Sequence, residues 1–70
     1  MRYAVVIEPA GSGFSAYVPD LPGCIATGAT MAETERRIAE AMAFHLEGLR
    51  ADGLPVPPSR STVATVDVAA

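Results

Sequence analysis

Apolar and polar positions along this chain change period twice. Tyr3-Ala-Val-Val-Ile-Glu8 is rich in β-branched and aromatic residues and runs into Pro9-Ala-Gly-Ser-Gly13, a cluster of turn formers, so it predicts a strand entering a hairpin. Phe14-Ser-Ala-Tyr-Val18 then alternates, with Phe14, Ala16 and Val18 on one face and Ser15 and Tyr17 on the other, until Pro19 removes a backbone donor. Period two with one polar face predicts a half-solvated antiparallel strand. Asp20-Leu-Pro-Gly23 predicts a tight turn through its Pro-Gly pair, and Cys24-Ile-Ala-Thr27 a third short strand ending at Gly28.

From Thr30 the period becomes helical. Thr30 with Glu33 three residues on is a capping-box pattern, in which each side chain satisfies the other's orphan backbone N–H. Met31, Thr34, Ile38, Ala41, Met42, His45, Leu46 and Leu49 fall on one side of the helix, and Glu33, Arg36, Arg37, Glu40, Glu47 and Arg50 on the other. Glu33 with Arg37, and Arg36 with Glu40, are spaced for i,i+4 ion pairs. Asp52-Gly53 predicts the C-terminal end, and the prolines at 55, 57 and 58 prevent the helix from resuming.

Leu54 to Arg60 reads as a crossing segment and Thr62-Val-Ala-Thr-Val-Asp-Val68 as a fourth strand. The order β-β-β-α-β predicts an α+β domain. Three meander strands followed by a right-handed crossover give a mixed four-stranded sheet of order 3-2-1-4, with the helix on one face. The other face and the outer edges are left without cover, so a second subunit or a partner is expected there.

Composition points the same way. Half of the 70 residues are apolar, but 13 of them are Ala, and there is no Trp. A core this thin calls for a disulfide, a metal or a partner subunit. A lone Cys24 excludes an intrachain disulfide, and one Cys with one His cannot supply the four N/S ligands of a structural zinc. A homodimer or higher oligomer is therefore expected. The net charge of −3 disfavours direct binding of nucleic acid. No apolar run is long enough for a membrane span or a signal peptide, so a cytoplasmic protein is expected.

No catalytic, metal or cofactor site emerges. A nucleophilic pair would need Cys24 beside His45, yet His45 lies mid-stripe with no acid nearby in sequence to orient it, and it reads as a core or interface histidine. Glu33, Glu40 and Glu47 recur on one face with Arg36, Arg37 and Arg50 interleaved, which is a solvated face rather than a cation site. Phe44 stands apart, about 120° from the centre of the apolar stripe and among charges. It is either a contact residue for a partner or a side chain folded over the sheet edge.

Pro19-Asp20-Leu21-Pro22-Gly23-Cys24, then Gly28 with Thr30 and Glu33 opening the helix, then Gly53-Leu54-Pro55-Val56-Pro57-Pro58, together resemble the HicB-like antitoxin family of type II toxin-antitoxin systems. Tyr3 in the first strand and the Phe14-x-Ala16 strand fit as well, and the likeness covers nearly the whole chain. It implies a partial RNase H-like fold. Full RNase H enzymes carry a cluster of acidic metal ligands, whereas here Glu8 ends a strand and Asp20 lies in a loop, so the resemblance implies a non-catalytic binding scaffold. Members bind a HicA-like toxin, a small basic mRNA interferase, and block its active surface; an acidic chain suits such a partner. The expected contact residues are Asp20, Leu21, Pro22 and Phe44. The alternative is a stand-alone oligomeric scaffold without a toxin, binding another protein or a small ligand. Thr34 replaces an Ala common in the family. The chain stops at Ala70 where many members continue into a DNA-binding domain, so a single antitoxin domain over 1–70 is expected.

Overall fold

A two-residue turn at Gly11-Ser12 organises the sheet. The computed structural model describes residues 1–69 and contains β1 (Val6–Ala10), β2 (Gly13–Tyr17), β3 (Ile25–Gly28) and α1 (Met31–Ala51). Gly11 has φ +57° at the first turn position, as a type II′ hairpin requires, and the turn makes Ala10 and Gly13 the closing pair. The first strand is therefore shifted from the predicted Tyr3–Glu8 and carries Pro9 within it. Proline is tolerated there because β1 is an edge strand, with β2 on one side only.

The three strands are antiparallel in the order β1-β2-β3, with Ala16 opposite both Ile7 and Ala26, and Tyr17 opposite both Val6 and Ile25. The link from β2 to β3 is a pair of consecutive turns. Val18 carbonyl accepts from Leu21 N–H at 3.1 Å across Pro19-Asp20, and Leu21 carbonyl accepts from Cys24 N–H at 3.1 Å across Pro22-Gly23. Gly23 sits at φ +82°, the conformation a type II turn demands after a proline at its second position.

The helix follows the predicted stripe from Thr34 onward, whereas Met31, its expected first member, is exposed in the first turn. Thr34 and Ile38 are buried, Ala41, Met42, His45, Leu46 and Leu49 are half-buried, and α1 packs on β2 and β3. Thr30 Oγ1 accepts from Glu33 N–H at 3.1 Å, while Glu33 Oε1 reaches one residue further back than predicted and accepts from Ala29 N–H at 3.2 Å. At the other end Leu54 N–H donates to Leu49 carbonyl and Gly53 N–H to Arg50 carbonyl, the two bonds of a Schellman motif. The expected ion pairs form, Arg37 to Glu33 at 3.2 Å and Arg36 to Glu40 at 3.7 Å; on a solvated helix face each is worth about 0.3–0.5 kcal/mol. The core consists of Tyr3, Ala16, Val18, Leu21, Cys24 and Ile38.

One element of the expected fold does not form. Among the described residues, 54–69 contain no strand, so the sheet is three-stranded and wholly antiparallel rather than mixed with order 3-2-1-4. The reason lies in the crossing segment. Its prolines supply no backbone donors, Pro57 carbonyl is held by the Tyr3 hydroxyl at 2.6 Å, and the Arg60 and Ser61 amides are held by Asp20. These anchors bring the segment past Tyr3 to Asp20, and the chain beyond them does not pair with β1.

Candidate partner-binding site

The start of β3 and the C-terminal half of α1 do not close against each other. They leave an open groove of about 390 Å³ lined chiefly by Cys24, Ile25, Ala41, Phe44, His45 and Leu49, with Gly23 and Asp52 also lining it. Phe44 is 79% exposed, so it does not fold over the sheet edge to complete the core; it is a surface side chain beside the groove. Ile25 is 68% exposed in the same groove.

Ile25 was not singled out from sequence. Its register opposite Tyr17 puts it on the sheet face opposite to that of buried Ala16, a face that no helix covers among the described residues. The clue available in sequence was the alternation itself, which places Ile25 out of phase with Cys24 and Ala26.

The loop residues separate into three fates. Leu21 is 0% exposed, so the expectation that it contacts a partner is corrected: the double turn folds it into the core beside Val18 and Cys24. Asp20 is directed at the chain's own tail. Its Oδ2 accepts from the Arg60 and Ser61 amides at 2.7 and 2.8 Å, and its Oδ1 from the Ser61 hydroxyl at 2.8 Å. Pro22 is exposed and precedes Gly23 of the groove lining in sequence without lining the groove itself, so of the four expected contact residues only Phe44 lines it.

The groove also brings Cys24 and His45 into one lining, the neighbourhood that a nucleophilic pair would need. No hydrogen bond joins them among the described residues. Burial pushes the Cys24 thiol up, away from the reactive thiolate, whereas an activated cysteine is held low. Among the described residues no group of three or more His, Cys, Asp or Glu is placed to hold a metal ion, and no helix is long and apolar enough to cross a membrane.

The Asp20 clamp carries a pH signature. Hydrogen bonds from the Ser61 amide, the Arg60 amide and the Ser61 hydroxyl hold its carboxyl below the usual carboxylate value. A group whose folded pKa is depressed contributes stability above its unfolded pKa, about 3.9, and loses it as pH falls through the folded value. The tail should therefore be clamped at neutral pH and released in acid below about pH 4. By amide exchange at pH 7, Asp20→Ala is expected to speed Arg60 and Ser61 at least about tenfold while leaving α1 amides unchanged. Unaltered exchange at those two amides would show that the clamp does not hold the tail.

One helix on a three-stranded antiparallel sheet, with an apolar groove at the edge between them, defines a small α+β domain built around a surface rather than a buried pocket. The chain belongs to the HicB-like antitoxins of bacterial toxin-antitoxin systems, whose family model matches residues 3–69. It is similar to a UPF0150 protein of Helicobacter pylori strain J99, at 37% identity over 99% of this chain and 97% of the relative. An uncharacterized 14.9 kDa protein of Haemophilus phage HP1 is 39% identical over 84% of this chain; the matched region spans only 44% of that longer protein. Among solved structures, a chain of a HicA3 and HicB3 toxin-antitoxin complex aligns with a TM-score of 0.74 and 37% identity, covering 84% of this chain and 70% of that one.

Proposed function

We propose that this chain is a non-catalytic, cytoplasmic antitoxin that binds a HicA-like mRNA interferase and occludes its active surface. The observation that carries the reading is the exposed Phe44 lining the groove together with exposed Ile25, on an acidic chain of a toxin-antitoxin family. The likeness to a chain from a complex of HicA3 with HicB3 supports the class of partner. A large aromatic at the edge of an apolar groove has the character of an interface anchor, and the net charge of −3 favours encounter with a basic protein. Phe44 and Pro22 are the contact residues; Leu21 acts from the core by shaping the loop, and Asp20 by tethering the tail.

The test is co-expression with a HicA-like toxin encoded beside this chain, followed by titration of the purified pair. Restored growth and co-purification are expected, with association slowing as salt is raised. Phe44→Ala should weaken the complex at least about tenfold, which is about 1.4 kcal/mol, without changing the helical signal of the free chain. Failure to rescue or to bind overturns the antitoxin reading in favour of a scaffold without a toxin. Binding that Phe44→Ala leaves unchanged moves the interface elsewhere.

A further inference from the structure

The segment beyond Ser61 has the composition of a strand and no strand to pair with. Thr62-Val-Ala-Thr-Val-Asp-Val68 is β-branched at five of seven positions and bears one charge, Asp67. Yet every residue from 62 to 69 is exposed, with Val66 at 79% and Val68 at 81%. The longest dimension of the molecule is 49 Å, well beyond the roughly 30 Å of a 21-residue helix. Its radius of gyration is 13.7 Å, against about 11 Å for a compact chain of this length. An unpaired, weakly charged, valine-rich segment held in water is a template for pairing with another chain.

The complementary vacancy lies on β1. It has β2 on one side, and among the described residues no strand pairs with it on the other. With Ala10 and Gly13 as the closing pair, strand alternation directs the backbone groups of Ile7 and Pro9 away from β2, and only Pro9 lacks a donor there. The root of the tail is tied down by Tyr3 and Asp20, and residues 59–63 lie beside Arg2–Ala4 without continuing along β1 of the same chain. Pro55, Pro57 and Pro58 stiffen the approach, which lowers the entropy cost of holding the tail away from its own body.

We infer that residues 62–68 form the fourth strand of a second copy of this chain, pairing with the free edge of its β1 while that copy's tail does the same in return. The exchange restores, between chains, the four-stranded sheet that the hydrophobic pattern specifies. Each tail supplies backbone partners to one free edge and buries valines that neither chain buries alone. Two-fold exchange of an identical element is a low-cost route to a dimer. The inference concerns the chain by itself and uses nothing from the toxin reading, so either can fail without the other.

The test combines light scattering, amide exchange and one backbone variant, all on the full chain without toxin. The expected species is a dimer of twice the chain mass, with amides 62–68 protected only at concentrations where the dimer is populated. Thr65→Pro removes a donor from the middle of the tail, outside the core. It is expected to raise the dimer dissociation constant at least about tenfold while the helical circular dichroism stays that of the parent. A wild-type chain that remains monomeric at 100 µM, a dimer that persists unchanged in Thr65→Pro, or tail amides protected in the monomer through pairing with its own β1 would each overturn the inference.

Discussion

Replacing Leu21 by alanine is expected to cost about 3 kcal/mol, a large share of what holds a chain of this size folded. Leu21 is completely buried, yet it lies in a loop between two prolines. The turn bonds Leu21 N–H to Val18 carbonyl and Cys24 N–H to Leu21 carbonyl make it the pivot between β2 and β3, and it packs in the same cluster as Val18, Cys24 and Ile38. Buried Leu→Ala changes cost about 2–5 kcal/mol, through lost transfer energy and the cavity that remains. A chain of this size has a total stability of only about 3–10 kcal/mol. Urea unfolding followed by circular dichroism checks the value. Leu21→Met should lose less than about 1.5 kcal/mol because volume is nearly conserved. A loss below about 1 kcal/mol for the alanine variant would mean that the loop collapses into the space, and that Leu21 is not the pivot.

Gly13→Ala should be of similar severity for the opposite reason. A Cβ at Gly13 would collide with the Gly28 carbonyl oxygen and lie 3.3 Å from Ala29 Cα. Both are backbone atoms, which cannot rotate aside as a long side chain would. The collision falls at the end of the β2–β3 ladder, where Phe14 faces Gly28, next to the point where the chain turns into α1. Relief requires prying β3 and the helix start from β2, so a loss of about 3 kcal/mol is expected, at the upper end of overpacking effects. Gly48→Ala is the control: its added Cβ meets nothing within 4 Å, and in a helix interior it should stabilise by about 0.5–1 kcal/mol. Equal melting of Gly13→Ala and wild type would remove the close approach from the description of the fold.

The core position of Leu21 is also the clearest case of what the sequence conceals. A leucine flanked by prolines in a turn-rich stretch reads as surface, since loops run over surfaces. Only the two consecutive turns reverse it inward. Phe44 shows the converse. Its place outside the apolar stripe was legible from helical periodicity alone, because α1 packs through that stripe on a single sheet face. Ile25 falls between: its alternation was visible, but its exposure depends on no element covering the far face of the sheet.

Sequence by itself determined the features governed by neighbours a few residues apart. These are the Thr30 cap and the Gly53 end of the helix, the i,i+4 ion pairs, a hairpin somewhere in Pro9–Gly13 though not its two-residue turn at Gly11-Ser12, the tight turn at Pro22-Gly23, and the strand-like pattern of Thr62–Val68. Tertiary structure decided which of these patterns finds a partner. Asp20 binds the tail rather than facing solvent, Cys24 and His45 meet in one groove, and the valine-rich tail stays unpaired. The physical reason is range. Caps and turns are satisfied by hydrogen bonds within one or two turns of chain, whereas pairing of a strand depends on where distant anchors, here Tyr3 on Pro57 and Asp20 on Ser61, deliver it.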